Sequence, residues 1–148
     1  MTGLHPFKLD NSSDNFIRSF KKIKKSFPSI RVSENFVKIV GDILFDLTTE
    51  PRPIKSRQEP CPSKFDLPDN WEFRKIEFSF SKGASGQIRI MYFVDLTNKI
   101  IKPIWIYSHE QFSKRPSDKD LKHIMMDNLD VDRDLDSNEP EQDEDLQP

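Results

Sequence analysis

An α+β sandwich, with a pair of helices laid on one face of an antiparallel sheet of about four strands, is the fold class this sequence predicts. Three observations carry that reading. Apolar residues recur at helical spacing through 16–27 and 36–47, they alternate at strand spacing through 73–80 and 87–94, and the helical segments precede the main strands as a block instead of interleaving with them.

Phe7-Lys8-Leu9-Asp10 alternates as a short strand and leads into Asn11-Ser12-Ser13, residues suited to cap a helix by accepting a hydrogen bond from a free backbone N–H. From Asp14 onward Phe16, Ile17, Phe20, Ile23 and Phe27 fall three or four residues apart, and Arg18, Lys21, Lys22, Lys24 and Lys25 occupy the other faces. Pro28 stops this helix, because the ring clashes with the preceding turn and removes a donor. A second helix is expected to be capped by Ser33 and to bury Phe36, Val37, Val40, Ile43, Leu44 and Leu47. Two helices so closely joined form a hairpin.

Prolines at 51, 53, 60, 62 and 68 exclude regular helix from residues 48–70, a long connection that also carries Arg52, Lys55, Arg57 and Lys64. Phe73 to Phe80 then alternates, with Ile76, Phe78 and Phe80 on one face and Lys75, Glu77 and Ser79 on the other. The glycine-bearing turn 82–86 leads to a strand with Ile88, Ile90, Tyr92 and Val94 on one face and Arg89, Met91 and Phe93 on the other. Asp95-Leu96-Thr97-Asn98 turns the chain into a last strand, Ile100 to Tyr107, whose Pro103 requires an edge or a bulge. In this order the helical hairpin covers one face of the sheet and leaves the other free. Tyr92 shares the apolar face and reads as core.

The 148 residues suit one domain, and charge divides them. Residues 1–122 hold 22 Lys and Arg against 15 Asp and Glu, a net +7; residues 123–148 hold only Arg133 against ten acids, a net −9. A block of like charge cannot bury enough apolar surface to offset its ordering entropy, so 123–148 reads as an acidic tail, disordered from about Asp127. The tail could fold back over a basic surface or act only as a solubilising arm. The single cysteine, Cys61, permits neither a disulfide within the chain nor a Cys-based zinc site, which favours a reducing compartment. With no apolar stretch near the roughly 18 residues that a span requires, membrane insertion is not expected and a cytoplasmic setting is.

Over residues 6–112 the chain resembles the RelE/ParE superfamily of toxins from type II toxin–antitoxin systems, in particular its RelE-like ribonuclease branch. The resemblance rests on the order of elements and on three segments: Phe16-Ile17-Arg18-Ser19-Phe20-Lys21-Lys22-Ile23, Arg89-Ile90-Met91-Tyr92-Phe93-Val94-Asp95 and Ile104-Trp105-Ile106-Tyr107-Ser108-His109. It implies a RelE-like toxin domain over 1–122 that cleaves messenger RNA, in the ribosomal A site or off it, and that a cognate antitoxin holds inactive, with no small-molecule cofactor. Two features depart from the compact toxins: the length of the 48–70 connection and the chain beyond His109.

Metal-free RNA cleavage uses the 2′-OH as nucleophile, so it needs a base, a cation for the phosphorane charge and an acid for the leaving oxygen. Arg89 suits the cationic role through its planar fork, Glu77 on the neighbouring strand is the candidate base, and Tyr107 and His109 are candidates for acid and nucleobase contact. Lys75, Lys114, Arg115, Lys21 and Lys22 are candidate RNA contacts. Plainer roles stand beside these. Arg89 could simply pair with Glu77, His109 could be a surface residue, and the lysine run could be a solvated helix face. A ParE-like, non-enzymatic gyrase inhibitor and an inactive RelE-fold binding protein are the alternative functions.

Overall fold

The computed structural model describes residues 6–137. Its elements are β1 (Lys8–Leu9), α1 (Asp14–Lys25), α2 (Ile30–Thr49), β2 (Ser56–Gln58), β3 (Trp71–Ser79), β4 (Gln87–Asp95), β5 (Ile100–Ser108) and α3 (Asp118–Ser137). The strands form one five-stranded sheet in the order β1-β5-β4-β3-β2, with β1 parallel to β5 and the other neighbours antiparallel. The fold is α+β, as the periodicity indicated.

Local chemistry sets the helix ends. Ser13 caps α1 by accepting from the Phe16 N–H at 3.3 Å, and Lys22, Lys24 and Lys25 in its last turn face the negative end of the helix dipole. The cap of α2 is Ser29, whose hydroxyl accepts from the Val32 N–H at 3.2 Å; the helix therefore starts one turn before the expected Ser33. Phe16, Ile23, Phe36, Val40, Leu44 and Leu47 from these helices meet Ile76, Ile88, Ile90, Tyr92, Val94, Ile101 and Ile106 from the sheet in the first core. Fully burying each such side chain contributes about 1.5–3 kcal/mol. Tyr92 is fully buried here, its hydroxyl donating to Pro51 O at 2.8 Å and sharing a 2.5 Å hydrogen bond with Ser56 Oγ.

Pro103 lies at a bulge, as its missing donor required. The β4–β5 register passes from Met91↔Trp105 to Tyr92↔Pro103, so Ile104 is the extra residue. Side chains of α1 satisfy backbone groups of β5 in this stretch: Asn15 Nδ2 donates to Ile104 O at 2.9 Å, and Ser19 Oγ accepts from Ile106 N at 3.1 Å.

Two expectations are corrected. The 48–70 connection contains a strand, β2, which pairs with β3 through Ser56↔Ile76, Arg57↔Lys75 and Gln58↔Arg74. More consequentially, the sheet face opposite α1 and α2 is not free. Phe73, Met91, Phe93, Ile104 and Tyr107 are buried there beneath Leu121, Met125 and Leu129 of α3, with Cys61, Phe65, Leu67 and Phe112 packed around them. The physical reason is the composition of β4, apolar on both faces after Arg89, which must be covered on both. Residues 123–129, assigned to an unpacked tail, are thus part of a packed helix, and Lys102 Nζ donates to Asn128 O at 3.1 Å beneath it. Residues 138–148 of the expected tail lie outside the described residues. No helix among the described residues is long and apolar enough to cross a membrane.

Candidate functional site

One corner of the covered face stays open, at the end of the sheet where β3 turns into β4. Gly86 makes this turn compact: a Cβ at that position would strike the Ser81 carbonyl oxygen, so only glycine fits. The hydrogen bonds His109 N→Gln87 O at 2.9 Å and Glu110 N→Ala84 O at 3.2 Å then hold the chain leaving β5 against the same turn. His109 is thereby brought beside the start of β4.

Register does the rest. Glu77 of β3, Arg89 of β4 and Tyr107 of β5 stand directly opposite one another across three strands, on one face. Arg89 Nε lies 3.4 Å from Glu77 Oε2, and its NH1 lies 3.0 Å from His109 Nδ1. A guanidinium can only donate, so Nδ1 of His109 accepts and the imidazole hydrogen sits on Nε2. Lys75 Nζ stands 3.6 Å from Glu77 Oε2 and 3.5 Å from Glu59 Oε1. Glu77 is half exposed, whereas the side chains of Arg89 and Lys75 are each 16% exposed. An open cavity of about 210 Å³ is lined by Glu77, Phe78, Gln87, Ile88, Arg89 and His109. A carboxylate, a guanidinium and an imidazole therefore meet at one solvent-accessible point.

Tyr107 does not join them at the surface. It is fully buried, edge-on to Phe112 at 5.5 Å, and its hydroxyl has no hydrogen-bond partner among the described residues. Burial pushes the phenol well above its ordinary pKa, and the nearby Glu59 adds to the shift, so it is a poor proton donor. The expectation of Tyr107 as a surface acid is corrected on this ground: the ring was needed to fill the second core.

The candidate RNA contacts separate. Lys75 lies at the site. Arg115 is committed elsewhere: NH1 donates to Glu59 Oε2 at 3.0 Å and Pro60 O at 2.7 Å, and NH2 to Asp118 Oδ1 at 3.1 Å, tying the start of α3 to the connection. Lys114 is exposed on the same segment. Lys21 and Lys22 are exposed on α1, which packs on the opposite side of the sheet from Arg89. Sequence reasoning missed Lys55 and Arg57 as site residues. Both border an adjoining cavity of about 350 Å³, together with Lys75, Glu77, Ser79 and Gln87. Their signal was a basic pair in the connection, invisible as a site until β2 was known to join the sheet. No group of three or more His, Cys, Asp or Glu side chains among the described residues gathers to hold a metal ion.

The fold and the site define an α+β protein with a small ionic cleft at the end of its sheet. No family model and no curated protein matches the chain. Among solved structures it is similar to a mutant of the E. coli toxin RelE in the free state, with 18% identity, a TM-score of 0.38, and coverage of 74% of this chain and 90% of that one.

Proposed function

We propose that the protein is an endoribonuclease that cleaves messenger RNA by metal-free attack of a 2′-OH on the adjacent phosphate, and that it is the toxin half of a toxin–antitoxin pair. The observation that carries the chemical reading is the meeting of Glu77, Arg89 and His109 at the open cavity. Glu77 takes the 2′-OH proton as the oxygen attacks phosphorus. Arg89 holds two oxygens of the phosphorane, which places fixed positive charge where negative charge develops. The leaving 5′-oxygen takes its proton from protonated His109, giving a 2′,3′-cyclic phosphate and a 5′-hydroxyl. A phosphate that takes up the Arg89 donors releases Nδ1 of His109 from its hydrogen bond.

A second reading, a binding protein without catalysis, is favoured by the burial of Tyr107 and the cover that α3 places over the rest of the face. Controlled expression separates them. Growth arrest with cleaved transcripts, lost on Arg89→Ala, supports the nuclease. Arrest with intact transcripts and DNA damage points to a gyrase inhibitor, and no arrest points to the binding protein.

A further inference from the structure

Arg57 stands directly opposite Lys75 across the β2–β3 pair, so their side chains share one face. Like charges in that position destabilise a strand pair unless an anion lies between them. Arg57 and Lys55 are exposed and have no ion-pair partner among the described residues, and the ion pairs of Lys75 are long, at 3.5 and 3.6 Å.

The strand that carries Arg57, and that follows directly after Lys55, is firmly held. Arg74 Nε donates to Ser56 Oγ at 2.8 Å and Arg74 NH2 to Ser56 O at 3.3 Å, while Tyr92 Oη bonds both Ser56 Oγ and Pro51 O. Arg52 pairs with Glu72 just ahead of it. Holding Lys55 and Arg57 beside Lys75 with no ion-pair partner of their own among the described residues is an arrangement suited to a ligand of opposite charge.

The cavity of Lys55, Arg57 and Lys75 shares Glu77, Phe78 and Gln87 with the cavity of Arg89 and His109, so the two form one path across the sheet end. Backbone donors line it as well. The bonds Glu59 N→Phe73 O and Phe80 N→Gly86 O show that odd-numbered residues of β3 direct their backbone groups toward β2 and even-numbered ones toward β4. Pairing with β2 ends at Ile76, which leaves the backbone groups of Glu77 and Ser79 facing the cavity from an open edge. Lys75 precedes Glu77 by two residues along the strand, about 7 Å, a separation that one nucleotide of backbone can bridge.

We propose that Lys55, Arg57 and Lys75 form a second phosphate subsite, which takes the backbone of single-stranded RNA one nucleotide away from the phosphate held by Arg89. The inference rests on the nuclease reading of the Arg89 site. Contacts to phosphate and from backbone N–H carry no base information, so the subsite strengthens binding without selecting sequence.

The test is fluorescence anisotropy of the full chain with a 2′-O-methyl oligoribonucleotide of about eight nucleotides, which cannot be cleaved, over a range of salt. Lys55→Ala/Arg57→Ala is expected to weaken binding about tenfold and to reduce the slope of log K against log salt by about 1 to 2. A 5′-mononucleotide should bind the variant and the native chain equally, because it needs only the Arg89 site. Circular dichroism melts check that the variant is folded. Weaker binding in the double variant, in a protein that fails to cleave unmodified RNA, supports the subsite and rejects catalysis. Binding that Arg89→Ala weakens and the double variant does not overturns the subsite and leaves the nuclease reading standing. Displacement of the oligonucleotide by polyglutamate at lower concentration than by RNA overturns it too, in favour of an acidic peptide at the same edge.

Discussion

Arg89 and His109 are joined by a 3.0 Å hydrogen bond although 20 residues separate them, and that bond places an imidazole at the open end of the sheet. Arg89 belongs to the row in which β3, β4 and β5 align Glu77, Arg89 and Tyr107, and His109 follows two residues after Tyr107, just past the end of β5. Arg89→Ala is expected to lower kcat for RNA cleavage about 100- to 1,000-fold, the range for loss of a principal transition-state donor. Stability should fall by about 0.5–1.5 kcal/mol, because the pairing with half-exposed Glu77 is screened but the part-buried hydrogen bond to His109 is lost. Arg89→Lys keeps the charge, loses the two-point contact and falls between. Steady-state kinetics and urea denaturation on the same preparations check both halves.

Tyr107→Phe removes a buried hydroxyl that has no partner among the described residues. The variant should be as stable as the native chain or more stable by about 1 kcal/mol, since an unsatisfied buried hydroxyl costs on that order. Cleavage should be unchanged. A loss of activity beyond tenfold in a folded variant would restore Tyr107 as the acid.

Glu72 accepts a hydrogen bond from Arg52 and is also paired with Arg74, which holds its carboxyl below the usual range. A depressed folded-state pKa stabilises the fold above the unfolded value of about 4.3 and loses that contribution as pH falls through the folded value. Glu72→Gln should therefore have a lower Tm than the native chain at pH 7, and the two melting curves should converge as pH drops from about 5 toward 3. Parallel Tm profiles would show that the pair contributes nothing.

Leu121 and Met125 are fully buried where α3 crosses the second face. Leu121→Ala and Met125→Ala should each cost about 2–5 kcal/mol by guanidinium titration, the range for emptying a packed site. Effects below about 0.5 kcal/mol would mean that α3 does not cover the sheet in solution.

The helices on the first face, the three long strands and the bulge at Pro103 were legible because each rests on local rules: a 3.6-residue stripe, a two-residue alternation, a proline without a donor. Arg89 beside Glu77 was legible for the same reason, since register follows from a short turn. The cover on the second face was not. Its signal was present in Met91 and Phe93, apolar on the side assigned to solvent, and in the stripe Leu121, Met125, Leu129 four residues apart. Net charge over 123–148 masked that stripe, because composition averages a helix with the acidic residues around it. Likewise β2 is a three-residue strand between prolines, held by Arg74 and Tyr92 from elsewhere in the chain. Only tertiary contacts make it a strand, and only then do Lys55 and Arg57 reach the site.

In the function proposed above, Glu77, Arg89 and His109 act together on an RNA phosphate. Its most direct test is end-group analysis of a defined single-stranded RNA incubated with the purified chain in the presence of a chelator. The native protein should give 2′,3′-cyclic phosphate and 5′-hydroxyl ends, and Arg89→Ala none above background. Intact RNA with the native protein, or identical products from the variant, would contradict it.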